Sequence, residues 1–493
     1  MNQVECDTRS NWSRNVTFNP RVCYKPRSEK EVFDILTKHE CGSIRVIGSR
    51  HSMNEIAKSD DVWIDMTEYK AQWTWNLNGT PPTVTVPAGV TLETLQDALA
   101  SRGKTLPARG TIKKQTIAGA ISTGTHGSGN SSLSNFVTRM RVAAYKGGNP
   151  GIWVVESEDD LRAARTSLGA MGVILDVTLE VSDAYFIEEN LEPVETLEQV
   201  RGRDGESEKE YPMQLFVRFP YHWGYGVSRR RVVDCGPQNV CEKLKSLRRW
   251  SANRLLKDLL LPWIIKTFVA RRDSSGIRRF YNKFLPCVLK KNDPVCDDDD
   301  TVQTMRHDWF PNQDIELFVP ASQFEAADRW LKEMIEAFDK KPESPTKEIV
   351  ASLRAAGLWQ AFEECGRYTV HAPLFYQRVE PDDNTLISMT AGASDAYYSI
   401  IVLSYLPPEP GGRFERFAQF IGEGLVRLFD ARAHWGKHFP LTSSDLEPRY
   451  PDLAQFRKIC DQYDPNGVFR NEFTARALGL AKPSSNPSFT ITK

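Results

Sequence analysis

Apolar residues first recur at helical spacing over Glu29–His39, where Val32, Phe33, Ile35 and Leu36 share one side and Ser28 stands ready to cap the first turn. Ser43–Ile47 and Val62–Met66 are shorter β-rich runs, the first ending at Gly48, so this stretch reads as strand, loop, strand. Thr83–Val86 alternates like a strand, Pro87–Gly89 turns the chain, and Thr91–Arg102 predicts a helix with Leu92, Leu95, Ala98 and Leu99 inward. A stretch with five glycines follows, Gly110 to Gly129. Arg139–Tyr145 then reads as a strand, Leu161–Leu168 as a helix and Gly169–Val181 as a long alternating strand, which places a domain boundary near Asp183.

Beyond that boundary, strands at Gln214–Phe219, Ile315–Val319 and Tyr397–Tyr405 alternate with amphipathic helices at Phe324–Phe338 and Phe414–Leu428, the pattern of an α+β domain. A basic stretch interrupts it. Arg229–Arg231 and then Lys243–Arg272 set Leu255, Leu256, Leu259–Leu261, Trp263, Ile264 and Ile265 among lysines and arginines, with Pro262 breaking any single helix. Such an insertion either packs one apolar face on the body or offers a surface helix to a membrane or partner. The acidic run Asp297–Asp300 is expected to be a solvated loop, and neither an internal repeat nor a long linker is visible.

At 493 residues the chain exceeds what one core usually organises. Its 63 basic and 64 acidic residues nearly cancel, so nothing calls for a nucleic-acid partner. Met1–Arg14 is polar and no window reaches the length of a membrane span, which predicts a cytoplasmic enzyme with membrane association not expected. Nine scattered cysteines without a C-x-x-C pair indicate neither a disulfide framework nor a zinc site; free or buried thiols are expected, and no metal. The triplets at Asn15 and Asn78 fit a glycosylation pattern that matters only in a secreted chain.

Chemistry concentrates in two loops. Thr123-Gly-Thr-His-Gly-Ser-Gly129 offers backbone N–H groups unobstructed by Cβ atoms, as a pyrophosphate requires, but it is neither G-x-G-x-x-G after a strand nor a Walker loop. Gly48-Ser-Arg-His-Ser52 puts a histidine at the end of a strand. Together with Met53–Ala57, His434-Trp-Gly-Lys437 and Asp464-Pro-Asn-Gly-Val-Phe-Arg-Asn471, these stretches resemble the aldonolactone oxidase group of the vanillyl-alcohol-oxidase flavoproteins, over about Trp12 to Asn471. That group includes gulonolactone, arabinonolactone and alditol oxidases.

The resemblance implies an α+β fold: a PCMH-type FAD-binding domain at 12–183, and a substrate domain at 184–440 with a large antiparallel sheet flanked by helices. The substrate domain carries the basic insertion at about 229–300, and a C-terminal segment at 441–493 packs back near the flavin. His51 would bond the flavin C8α methyl, with Gly48, Ser49, Arg50, Ser52 and Asn54 in the same loop; Arg50 stands where many members have glycine. Gly119 and Thr123, Gly124, Thr125, His126, Gly127 and Ser128 would surround the pyrophosphate, Gly169, Gly172, Val173 and Ile174 the adenosine end, and His434 and Lys437 the flavin.

For catalysis, Arg378 matches the arginine of the group's E-x-R strand, Tyr376 replaces its glutamate, and Lys437 would contact substrate oxygen. Thr111 would sit beside the substrate, and Gly110 would leave open the path of O2 to the flavin. Glu316 matches an E-[WY]-x-x-P strand, as a structural or a substrate residue, and Val402 falls where alditol oxidase has a histidine. The implied protein is an FAD-dependent oxidase taking hydride from a CH–OH carbon of a sugar, polyol or sugar lactone, with O2 reduced to H2O2. A dehydrogenase with another acceptor and a flavin-binding protein without turnover are the alternatives.

Overall fold

The computed structural model describes residues 2–480 except 7–8, 235–260, 272, 289–293, 305–310, 342 and 344. In the N-terminal part, Val22–Tyr24 and Ile44–Ile47 flank Val62–Asp65 in parallel, with Gln3–Val4 antiparallel at the edge. The helix Glu29–Lys38 covers this sheet with Val32, Ile35 and Leu36; Ser28 accepts a hydrogen bond from Glu31 N, while Phe33 stays 40% exposed on the flank. A five-stranded antiparallel sheet follows in the spatial order 151–155, 137–144, 173–180, 83–87, 74–76. The chain end returns to the beginning: Val468 and Phe469 enter the first core, and buried Arg45 donates to the carbonyls of Leu168 and Phe469.

Residues 186–433 build an eight-stranded sheet in the order 295–298, 186–194, 225–233, 215–218, 374–379, 397–404, 313–320, 432–433. Side chains alternate across a sheet, and directly paired residues share a face. One face therefore carries Phe216, Tyr376, Ile400 and Leu317 in a row, with Arg378, Tyr398 and Val319 beside them. Tyr398 stacks on Phe324 at 4.1 Å and Tyr376 on Phe216 at 5.0 Å, so this face packs on the helix Phe324–Lys340. The opposite face carries the row Val217, Phe375, Ile401, Glu316 and, next to it, Leu215, Gln377, Ser399, Phe318.

Several expectations are corrected. Arg229–Arg231 belong to the strand Tyr225–Val233 rather than to the insertion, and pair across the ladder with Glu192, Glu189 and Glu188. The acidic run is not a solvated loop: Asp299 is buried against Arg109 at 2.6 Å, and Asp300 meets Arg109 at 3.0 Å and Lys113 at 2.7 Å. The helix expected at Leu161–Leu168 runs from Glu158 to Arg165, because Glu158, Asp159 and Asp160 suit a helix N-terminus and Leu168 turns left-handed. The cysteines are not all thiols. Cys6 and Cys23 form a disulfide, brought together by the pairing of Val4 with Cys23, and Cys296 is also disulfide-bonded, whereas Cys41, Cys365 and Cys460 are free.

Pro262 lies in the helix Leu261–Ala270, and the residues before it lie outside the described ones. The rest of the basic stretch, 243–260 with Leu255, Leu256, Leu259 and Leu260, lies outside the described residues. Among the described residues no helix is long and apolar enough to cross a membrane.

Candidate active site

Three short segments meet at a slot within the N-terminal part of the chain. Gly48, Ser49, Arg50, His51 and Ser52 line it from the end of the Ile44–Ile47 strand, Thr116, Gly119 and Thr123 from the helix Ile117–Ser122, and Gly169 from the opposite wall. Small residues predominate, so backbone can approach a ligand closely, and the slot fits the pyrophosphate-bearing part of an FAD. Gly124 turns left-handed at φ 73°, and a Cβ on Gly127 would stand 2.2 Å from the Arg109 carbonyl, so this loop admits only glycine at both points. His51 is half-buried, 5.6 Å from the Trp12 ring, and Arg50 before it is left-handed at φ 59°.

Not every expected cofactor residue faces the slot. The Asn54 amide donates to the carbonyls of Trp435 at 2.8 Å and Lys437 at 2.7 Å, so it fastens the histidine loop to the His434–Lys437 segment. The Ser128 hydroxyl donates to the Gln214 carbonyl, and His126 turns to the large sheet. Gly172 and Gly169 have left-handed backbones, but Val173 and Ile174 are buried in cores. Thr125 contacts Gln115 at 3.3 Å, and a Cβ on Gly110 would meet the Thr125 methyl at 2.5 Å. The Arg109–Asp299–Asp300–Lys113 ion cluster holds Gly110 and Thr111 on both sides.

On the sheet face toward these loops lies a polar cluster. Glu316 Oε1 accepts from Ser399 at 2.8 Å and contacts His126 Nε2 at 3.0 Å; the His126 and His434 rings are 5.7 Å apart, with Phe318 beside both. The 432–433 edge strand delivers His434, whose Nδ1 accepts from Gly436 N at 2.9 Å and whose backbone N–H donates to the Glu316 backbone carbonyl. Lys437 Nζ reaches Asp314 at 2.7 Å.

Burial would raise the Glu316 carboxyl, but His126, and less strongly Lys437, outweigh it and hold the group well below the usual carboxylate range. Burial pushes His434 down to about 3, so its imidazole is neutral. Burial also opposes the Lys437 charge, yet Asp314 and Glu316 raise it above its ordinary value. Ligand atoms of His126, Glu316 and His434 lie within 4.8 Å of one another, a grouping able to hold a metal ion. In the structure they satisfy one another and the backbone by hydrogen bonds.

Tyr376 and Arg378 stand apart from this cluster. Both point to the helix side: Tyr376 donates to Asp328 at 2.7 Å, and Arg378 pairs with Glu380 and lines a cavity of about 860 Å³ with Arg201, Glu208 and Glu325. A shift of one residue along a strand exchanges faces. The positions of that strand on the face shared with Glu316 are Phe375 and Gln377, both half-buried, and neither was singled out in the sequence. Trp435 is fully buried, stacked on Phe439 at 4.9 Å, and packs rather than reacts.

Residues 20–148 match a family model described as an FAD binding domain, and residues 177–477 match the model for D-arabinono-1,4-lactone oxidase. The chain belongs to the D-arabinono-1,4-lactone oxidase family. It is an FAD-dependent oxidoreductase acting on CH–OH groups, as the named members are. A long-chain alcohol oxidase from an uncultured marine euryarchaeote is 34% identical, the alignment covering 95% of this chain and 97% of that one. An L-gulono-1,4-lactone dehydrogenase of Mycobacterium tuberculosis is 28% identical with 95% and 99% covered, and an alditol oxidase of Streptomyces 25% identical with 94% and 97% covered. A cholesterol oxidase from Brevibacterium sterolicum shares the fold, with a TM-score of 0.69 at 16% identity and 96% of each chain covered.

Proposed function

We propose that the protein oxidises the hydroxyl-bearing carbon of an alcohol with an apolar chain to a carbonyl, using O2 and releasing H2O2. One observation carries this: the half-buried row Val217, Phe375, Ile401 ends at Glu316, on the face that also holds Asp314 and its partner Lys437. An apolar track with one polar end suits a molecule with one hydroxyl and a hydrocarbon tail. The relative named for long-chain alcohols is nearer in identity than those named for lactones or alditols, which supports the same choice. A sugar, polyol or lactone is the second substrate class, favoured by Gln377 and Ser399 beside the track.

FAD, when bound, supplies an N5 atom that takes the hydride and passes both electrons to O2. Lys437, held cationic, and the Glu316 carboxylate would orient the substrate hydroxyl by charge and hydrogen bonding, while the hydroxyl proton would pass to solvent. His434, neutral and fixed by Gly436, adds a donor without a charge. Gly110 keeps a methyl out of the neighbourhood of Thr125, which is consistent with O2 reaching the flavin.

His51 is the proposed covalent anchor: it lies in the slot on a loop braced by Trp12 N donating to the Arg50 carbonyl at 2.9 Å. The disulfides suit an oxidising compartment better than the cytosol expected from the polar N-terminus.

The test is anaerobic mixing of the purified flavoprotein with dodecanol, xylitol and gulonolactone, followed by O2. Fast bleaching by dodecanol and peroxide on reoxidation is expected; bleaching by the polyol or lactone alone would give the second class precedence. Acid precipitation of the wild type and of His51→Ala reports the linkage: colour should stay in the first pellet and leave the second.

A further inference from the structure

The outer end of the apolar row is covered by the helices Leu261–Ala270 and Ser274–Arg279 and the helical turns that follow to Val288. Ile264, Phe268, Ile277, Phe280, Tyr281 and Leu285 pack there against Phe219 and Val217, and the Tyr281 hydroxyl donates to the His371 carbonyl at 3.0 Å, just ahead of the Phe375 strand. Val217 is thus shared between the hairpin core and the row that ends at Glu316. The hairpin exposes two aromatic side chains, Trp263 at 60% and Phe284 at 49%. Between positions 261 and 288 the sequence carries six basic residues and one acidic residue. That acid, Asp273, caps Gly276 N at 2.7 Å, and Arg278 pairs with Asp339, whereas Arg271 and Arg279 are exposed.

We infer that this hairpin docks on an anionic lipid surface, inserting Trp263 and Phe284 among the headgroups and acyl chains, and so sets the hairpin-covered end of the apolar row against the phase in which a hydrocarbon-tailed substrate dissolves. The physical grounds are charge complementarity and place. Exposed indole and phenyl rings amid basic residues are what an interfacial helix presents to acidic headgroups. An aromatic pair at this spot faces outward from the same core that seals the row. The inference rests on the apolar-chain substrate proposed above.

The test is flotation of the full flavoprotein with phosphatidylcholine vesicles, with and without phosphatidylglycerol. The wild type should float with the anionic vesicles and be released by high salt. Trp263→Ser/Phe284→Ser should lower the bound fraction about tenfold or more while oxidising a water-soluble short alcohol at the wild-type rate. Arg271→Glu/Arg279→Glu, at exposed positions that carry no core contact, should abolish the preference for phosphatidylglycerol even if the aromatic variant folds poorly. A wild type that stays at the bottom of the gradient, variants that float as well as it does, or a hairpin that drives self-association in sedimentation instead would overturn the inference. Flotation without oxidation of any alcohol would leave the lipid surface standing and remove the substrate assignment.

Discussion

Glu316 takes both of its hydrogen bonds on Oε1, from Ser399 at 2.8 Å and His126 at 3.0 Å, inside a site that keeps it ionised. If it orients the substrate hydroxyl, Glu316→Gln should lower the rate of anaerobic flavin reduction by roughly a hundredfold to a thousandfold, about 3–4 kcal/mol. Flavin content and the visible spectrum should be unchanged; an equal loss of bound flavin would assign Glu316 to structure. Arg50 presents the reverse case, a residue working against its backbone. At φ 59° an L side chain costs about 1–2 kcal/mol that glycine does not pay, although glycine also loses more entropy on folding. Arg50→Gly should therefore be neutral or raise stability by up to about 1 kcal/mol, read as the midpoint of urea unfolding. A clear loss would mean that the guanidinium earns its place, most directly at the slot it lines.

At the scale of elements, the large sheet separates what a sequence pattern tells from what it hides. The strands Leu215–Arg218, Gln313–Pro320 and Tyr397–Ser404 and the helices Phe324–Lys340 and Arg413–Phe429 lie within a few residues of their sequence-based positions, because alternation and helical spacing are local signals. The face of Leu374–Val379 was not legible, because Leu, Phe, Tyr, Gln, Arg and Val fit either face and only the pairing with Tyr397–Ser404 decides. Tyr225–Val233 was hidden by its three arginines, which become readable only beside the glutamates of Phe186–Val194. The register makes a sharp prediction. Phe375→Glu/Gln377→Arg, which builds a Glu-x-Arg pair on the face shared with Glu316, should shift kcat/KM from long-chain alcohols toward alditols by about tenfold or more. Arg378→Ala, on the helix face, should change kcat/KM by less than about threefold. The opposite outcome would put Arg378 back at the substrate.

Across the whole molecule, three buried histidines couple the folded state to pH. Burial pushes His371 and His438 down to about 4 and His434 to about 3. In two of them the cause can be seen in the hydrogen bonds: His371 Nε2 accepts from Tyr405 N at 2.9 Å and His434 Nδ1 from Gly436 N at 2.9 Å, so a proton on either nitrogen would face an N–H donor. An unfolded histidine takes up its proton near pH 6.5, and the folded chain does not. Below that pH the unfolded state binds more protons, so stability is complete above it and declines on acidification, by up to about 1.4 kcal/mol per pH unit for each group, until the folded values are reached. Asp464, raised to about 6 chiefly by burial, has the opposite sign: its contribution is present below the unfolded carboxyl value and is lost as pH rises to about 6. His39 is lowered by burial as these three are, and Asp299 and Asp314 are raised by burial as Asp464 is, so the histidines leave a net loss of about a few kcal/mol between about pH 6.5 and 4.5. Urea midpoints measured across that interval should fall steadily, and His371→Gln with His438→Gln, both outside the flavin slot, should remove most of the slope. Midpoints that do not move with pH would mean that one or more of these imidazoles is charged in the folded protein, and His434 would then bring a cation, rather than a neutral donor, to the Glu316 cluster.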